Sequence, residues 1–494
     1  MGAAKTKSLA ALGLTALGGE EARITGLSVD SRTVKPGHLF AALSGTNVHG
    51  VEFVPYALRM EAGAILTDQD GAARAQDALK GFDVPLIVTE DPRQTLAYAA
   101  ALWFEDQPEV ICATTGTNGK TSVAHFLQQI WTLMGLDAIA FGTMGVSGAF
   151  TTNLSHTTPE PITLHRLLAD ASHAGVTHAA MEASSHGLAQ RRLDGVRLTA
   201  GAFTNFTQDH LDYHASFDEY FAAKMGLFTR VLQDGAVAVV NLDDPRGPEV
   251  ARLAESHQLT LLGVGHSERA DLRIHAQRYD ATGQELVFSW GTNRHAIHLD
   301  LIGGFQAENV MTAAGLAIAS GREPEDVFAV LPELSTVRGR MALAATRTNG
   351  AAVFVDYAHT PDAVETALKA LRPHVLGRIV VVLGAGGDRD PGKRVLMGQA
   401  AATHADQVFV TDDNPRNEDP AMIRAMVMEG CPEAMEIGDR AEAILRAVDA
   451  LEAGDALLIA GKGHETGQTI KGDILPFDDA EQASIAVAAL DGVM

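Results

Sequence analysis

The segment Gly116-Thr117-Asn118-Gly119-Lys120-Thr121 places two glycines, a lysine and hydroxyl side chains within six positions. It follows a short apolar run, 110–115. Behind it, Val123, Phe126, Leu127, Ile130, Leu133 and Met134 recur at the spacing of one helix face. Strand, glycine turn and helix are the context of a phosphate loop. Its backbone N–H groups approach phosphate oxygens, Lys120 neutralises the outer phosphates, and the Thr121 hydroxyl ligates Mg2+. The strict pattern GxxxxGK[ST] requires glycine where this chain has Thr114, so the loop is a variant.

Two further groups suit the same chemistry. Glu182 closes the apolar run 179–181, and His210 lies in the segment 205–212. One carboxylate and one imidazole suffice to complete a magnesium site with Thr121, because Mg2+ keeps substrate oxygens and water as its other ligands. In the last third, Asp413-Asn414-Pro415-Arg416 follows another apolar run, and Arg389 also follows one. A guanidinium is a planar fork that meets a carboxylate with two parallel hydrogen bonds. Together with the phosphate loop, these residues point to an ATP-driven joining reaction in which one arginine chooses the incoming amine.

The elements that must position these residues can be read from the apolar runs. Residues 38–43, 63–66 and 84–88 read as strands of a small α/β unit, and 93–104 as a helix leading out of it. Runs 110–115, 179–181, 236–240 and 259–264 alternate with helical stretches, which implies a mostly parallel sheet. The character changes near 335–340. Four further strands, 352–355, 379–383, 408–411 and 456–460, each end in polar or glycine-rich loops. Open parallel sheets bind ligands beyond the carboxyl ends of their strands, so these four loops are expected to converge on one crevice. Lys224, read by itself, looks like a solvated helix lysine.

Bulk properties limit the alternatives. The 494 residues suffice for two to four domains, and 46% apolar content argues against disorder. Lys and Arg total 38 against 62 for Asp and Glu, a net charge of -24, which is the wrong sign for a nucleic-acid surface. Cys112 and Cys431 sit in apolar contexts and read as buried small hydrophobes. No apolar run has membrane-spanning length, so a cytoplasmic protein without membrane insertion is expected.

Motifs at 29–32, 116–121, 182–188, 205–214, 356–361, 387–389 and 461–465 together resemble, in order, those of the ATP-dependent Mur ligases of peptidoglycan precursor synthesis. Residues 413–416 resemble the signature of the members that add meso-diaminopimelate. The resemblance implies a three-domain α/β fold: a small N-terminal α/β domain for UDP recognition (1–92), a central P-loop parallel-sheet ATPase domain (93–337), and a C-terminal Rossmann-like α/β domain for the amino acid (338–494). It implies ATP and Mg2+ as cofactors, UDP-N-acetylmuramoyl dipeptide and meso-diaminopimelate as partners, and a monomer. Ser31 resembles the uridine-diphosphate contact, and Thr157, Thr158, Ser184, Gln190 and Arg192 resemble the residues holding the muramoyl dipeptide. Lys224 is similar to a lysine that the family carbamylates, which would make it a ligand for a second Mg2+. Asn309, Arg340, Asp356 and His359 resemble nucleotide contacts. Arg389, Asp413, Asn414, Arg416, Gly461 and Glu465 resemble the diaminopimelate pocket. His49, His156 and Gln306 depart from the usual pattern. An L-lysine-adding relative and a P-loop kinase or ATPase of other substrate are the competing readings.

Overall fold

The computed structural model describes residues 5–45, 48–154, 156–207 and 213–492. Near the N-terminus, strands Gly26–Ser28, His38–Ala41, Ala64–Thr67 and Leu86–Val88 form one parallel sheet in sequence order. Helix Pro92–Phe104 leads away from it, with Pro92 in its first turn and the Asp91 carboxylate accepting the Gln94 N–H at 3.0 Å.

The large central sheet has ten strands. Val110–Thr115 lies between Ala200–Phe203 and His178–Glu182, and both pairings are parallel. Alternate strand residues feed two cores. Cys112, Ala180 and Val239 pack with helices Lys120–Leu133 and Phe305–Ala319 on one face. Ile111, Ala113 and Met181 pack with helices Pro161–His173 and Phe217–Gly226 on the other. Strands buried on both faces read as continuous apolar runs, which is why they were legible. The antiparallel extension Leu272–Tyr279, Gln284–Trp290 and Asn293–Leu299 was not anticipated. Its strands mix buried, half-buried and exposed residues, so no continuous apolar run marks them.

In the third sheet, Ala456–Ala460 sits between Ala352–Asp356 and Ile379–Leu383, and Gln407–Val410 lies beyond the latter. These four strands are parallel, so their carboxyl ends share one edge. A hairpin, Gly467–Ile470 with Asp473–Pro476, reaches back to Arg416, which bridges to Ile470. Both cysteines are buried. Among the described residues, no helix is long and apolar enough to cross a membrane.

Candidate active site

The loop after Val110–Thr115 turns through Gly116 (φ 147°) and Gly119 (φ 86°) before helix Lys120–Leu133 begins. A Cβ on Gly116 would lie 1.9 Å from Thr204 Oγ1, so only glycine allows this approach. Thr114 is buried inside the strand, and the loop proper starts at Gly116. Lys120 Nζ donates to the Gly116 and Thr117 carbonyls at 2.9 and 2.8 Å, folded over its own loop. The Asn118 N–H donates to Asn205 Oδ1 at 2.8 Å.

Thr121 Oγ1 donates to Glu182 Oε1 at 3.0 Å, bringing together the hydroxyl and carboxylate of the expected magnesium site. Glu182 is almost completely buried. It also accepts the Thr143 N–H at 2.7 Å and the Thr143 hydroxyl at 3.2 Å. Thr143 was not foreseen; its one signal is its place directly after strand Ala138–Gly142. Gly142 makes room for the carboxylate, since a Cβ there would sit 1.9 Å from Glu182 Oε1. His210 lies outside the described residues.

Lys224 corrects the simple reading of its sequence. It is 1% exposed, on the inner face of helix Phe217–Gly226, and not solvated. Its Nζ donates to the Gly116 carbonyl at 2.6 Å and lies 4.4 Å from the Tyr220 ring centre. Tyr220, Phe221 and Met225 bury the same helix face against the sheet and carry the lysine with them.

The five expected dipeptide-contact residues form one hydrogen-bonded group beside Glu182. Thr158 Oγ1 donates to the Glu182 carbonyl and accepts the Ser184 N–H. Thr157 pairs with Thr143 through their hydroxyls at 3.1 Å. Arg192 donates to the Thr158 carbonyl at 2.6 Å and to Gln190 Oε1, and Gln190 donates to the Tyr213 hydroxyl. Burial lowers the Arg192 pKa. Ser31 is also buried, but in the N-terminal unit, at the start of a 3-10 turn capped by Asp30.

Asn309 Oδ1 lies beside Gly119, and Asn309 Nδ2 donates to Gln306 Oε1 at 3.1 Å. The departing Gln306 therefore orients Asn309. His49 is likewise accommodated: its Nδ1 accepts the Val51 N–H, and its Nε2 lies 3.3 Å from Asp68. Arg340 Nη2 donates to Thr121 Oγ1 at 3.0 Å, and its guanidinium lies over the Tyr357 ring. Asp356 accepts the Met341 and Ala358 N–H groups; burial raises its pKa against the opposing effect of Arg340. His359 Nδ1 lies 2.8 Å from the Tyr357 carbonyl.

The four strand-end loops of the third sheet do meet. They surround a cleft of about 710 Å³ whose lining includes His359, Arg389, Asp413, Asn414, Arg416, Gly461 and Glu465. Arg416 adopts φ 51° and donates from Nη1 to the Gly387 carbonyl at 2.7 Å. Arg389 is exposed at the rim. Asn414 Nδ2 donates to Glu465 Oε2 at 2.8 Å. Gly461 lets Asp413 approach, since a Cβ there would meet Asp413 Oδ2 at 2.4 Å. Behind the cleft, buried Arg440 pairs with Asp479 at 2.7 Å and donates to the Asp412 and Ala460 carbonyls. His186 and Asp362 also line the cleft, and sequence reasoning had assigned neither to it. Asp362 Oδ2 accepts a hydrogen bond from Asn118 Nδ2 at 3.2 Å, linking the cleft to the phosphate loop.

A glycine-rich loop at the strand ends of one sheet, joined through Asn118 and Asp362 to a polar cleft at the strand ends of another, is the arrangement of a Mur ligase, and the chain belongs to that family. Three family models match it: the Mur ligase family catalytic domain over residues 23–104, the Mur ligase middle domain over 114–317, and the Mur ligase glutamate ligase domain over 339–463. The chain is similar to the UDP-N-acetylmuramoyl-L-alanyl-D-glutamate–2,6-diaminopimelate ligases of Bradyrhizobium diazoefficiens and Caulobacter vibrioides. The first is 47% identical, over 94% of this chain and 95% of the relative. The second is 46% identical, over 95% and 96%. A solved structure of a ligase of the same name is 34% identical, with a TM-score of 0.68 over 94% of this chain and 95% of that one.

Proposed function

We propose that this protein is the ADP-forming ligase that joins meso-2,6-diaminopimelate to the D-glutamyl γ-carboxylate of UDP-N-acetylmuramoyl-L-alanyl-D-glutamate in peptidoglycan precursor synthesis. The reading is carried by one observation: the cleft that holds Arg389, Arg416 and Glu465 is also lined by His186 of the central unit, two residues beyond Ser184. An amine seated there faces the side of the central unit that carries Glu182, Thr158 and the phosphate loop.

ATP transfers its γ-phosphoryl group to the substrate carboxylate, and the acyl phosphate is attacked by the amine with loss of phosphate. The loop glycines and Lys120 hold the phosphates, and Asn309 and Arg340 flank the nucleotide. The first 92 residues, with Ser31, receive the uridine diphosphate; residues 93–337 carry ATP, and 338–494 the amino acid. Thr157, Thr158, Ser184, Gln190 and Arg192 hold the dipeptide beside Glu182. Acyl phosphates hydrolyse, so the site must exclude water when both substrates are bound.

The oxygen donors Thr121 and Glu182, 3.0 Å apart, fit Mg2+, a hard cation that takes few protein ligands. When bound, Mg2+ screens the repulsion between carboxylate and phosphate. Carbamylation would turn Lys224 from a cation into an anionic oxygen ligand. Its burial beside Gly116 puts that group next to the phosphate loop, and His210 is the remaining candidate ligand.

Diaminopimelate differs from lysine by a distal carboxylate, the group for which Arg416 and Arg389 are suited. The test is ADP release with UDP-muramoyl dipeptide, adding meso-diaminopimelate or L-lysine in turn. Release and amide formation with diaminopimelate and little with lysine are expected. Equal turnover of both amines would refute the assigned specificity, and ADP release independent of any amine would refute ligation.

A further inference from the structure

Lys462 is among the most deeply buried charged side chains of the third unit, with no exposed surface. Its neighbours are side chains that line the cleft. Nζ donates to Asn414 Oδ1 at 3.3 Å and to Glu465 Oε2 at 3.2 Å. The Thr469 N–H donates to the same Asn414 oxygen at 2.8 Å, while Asn414 Nδ2 donates to the same Glu465 oxygen at 2.8 Å. Gly461 and Gly463, both with positive φ, carry the chain around this buried ammonium.

An asparagine amide can sit either way round, and its hydrogen-bond partners decide which. Here two obligate donors, an ammonium and a backbone N–H, converge on one end of the Asn414 amide. A lysine ammonium has no acceptor to offer. Turning the amide over would set its NH2 group against both donors and leave Glu465 facing a carbonyl. Only one orientation is satisfied, and in it Asn414 reaches the cleft as a donor. The same ammonium engages one oxygen of Glu465. Glu465 Oε1 accepts no hydrogen bond among the described residues, so it remains to receive a positive group. Both donors engage Oε2 alone.

We propose that Lys462 is a positioning residue for amino-acid selection: it sets the polarity of Asn414 and aims Glu465, so that the cleft presents a donor for a carboxylate beside an acceptor for an ammonium. Lys462 itself need not touch the substrate. The proposal rests on the ligase reading above and adds the residue that holds its amino-acid pocket in one hydrogen-bonded state.

The test uses the full-length enzyme with Lys462→Met, which keeps chain length and removes the donor, and Lys462→Gln, which restores a neutral donor. KM is measured for meso-diaminopimelate, ATP and UDP-muramoyl dipeptide separately, and thermal unfolding is followed in parallel. Lys462→Met is expected to raise the diaminopimelate KM at least tenfold while the other two KM values stay within twofold; Lys462→Gln is expected to recover part of the loss. An unchanged diaminopimelate KM in Lys462→Met overturns the proposal. So does an equal rise in all three KM values in both variants, which marks a purely structural lysine. If Lys462→Met does not fold, Lys462→Gln decides: a selective rise in the diaminopimelate KM supports the role, and wild-type values overturn it. Wild-type enzyme runs in the same assay. Its failure to ligate diaminopimelate would overturn the ligase reading and this proposal together, whereas wild-type turnover with an unmoved KM in the variants overturns this proposal alone.

Discussion

Replacing Arg416 by alanine tests the amine-selecting role most directly. One guanidinium N–H is held by the Gly387 carbonyl at 2.7 Å, which aims the remaining donors. Truncation removes a charge-assisted, two-pronged contact with the distal carboxylate, costing about 2–5 kcal/mol of binding. At roughly 1.4 kcal/mol per factor of ten, the diaminopimelate KM rises from about 30-fold to a few thousand-fold. The lost Gly387 contact costs about 1 kcal/mol of stability. Backbone geometry supplies a control. Arg416 sits at φ 51°, a left-handed conformation that costs a non-glycine residue about 1–2 kcal/mol. Arg416→Gly relieves that strain and should unfold at a temperature equal to or above that of Arg416→Ala, while losing diaminopimelate just as badly. Steady-state kinetics with diaminopimelate and L-lysine, and thermal melts of all three proteins, check both halves. The KM for ATP should hold. A diaminopimelate KM within twofold of wild type in both variants would remove Arg416 from the pocket.

Three more outcomes are expected. Gly142→Ala should fold, yet lose at least about 100-fold in turnover, because its Cβ would displace the Glu182 carboxylate, a loss of the size seen when one electrostatic contact to a reacting group is removed; wild-type rates of ADP formation would refute the placement of Glu182. Asp479→Asn leaves the Arg440 charge buried and unpaired, which costs about 3–5 kcal/mol; a denaturant melt reads the stability, and the diaminopimelate KM should rise because Arg440 holds the Asp412 and Ala460 carbonyls, each next in sequence to a cleft residue, Asp413 and Gly461. Burial holds the His165 imidazole at about 4, against 6.5 for the free side chain. The native state thus binds fewer protons than the unfolded state, so this contribution is complete above about pH 6.5 and is lost as pH falls towards 4, roughly 3 kcal/mol in all. His165→Gln should flatten the stability profile across that window, and an unchanged slope would refute the assignment.

What was legible in the sequence follows from how local each signal is. The phosphate loop is a contiguous strand, turn and helix, and the third sheet's strands are unbroken apolar runs ending in polar residues, so both could be read directly. Lys224 could not, because its burial comes from packing a whole helix against the sheet, and its contact with Gly116 spans 108 positions. The Arg440–Asp479 pair is equally hidden, since each residue alone looks like an ordinary surface charge at a helix start. Thr143 offered only its strand-end position. Lys462 lay in plain view between two glycines, but nothing nearby in sequence says that its partner Asn414 comes 48 residues earlier.

The contacts between the two working units bear on how an acyl phosphate can survive in water. Asn118 of the phosphate loop reaches Asp362 of the third unit, and Arg340 joins Thr121 to the face of Tyr357. At a second point of contact, the Gly303 N–H donates to His374 Nε2 at 3.0 Å, and His374 Nδ1 lies 2.6 Å from the Asp280 carbonyl. These are polar contacts, each contributing about 1 kcal/mol net, and they stand beside an apolar one: Ile302 is buried in the core of the third unit, and Phe305 packs against it. Such a joint sets the units in register. Its placement matters for the chemistry: the orienting contacts lie on residues flanking the phosphate site, so the amine cleft keeps its alignment where the activated carboxylate must form. Weakening one of them by Asp362→Ala should therefore leave ATP consumption intact and raise the ratio of ADP formed to amide formed, as water intercepts the intermediate. A ratio still at one would mean that the register between loop and cleft is held elsewhere.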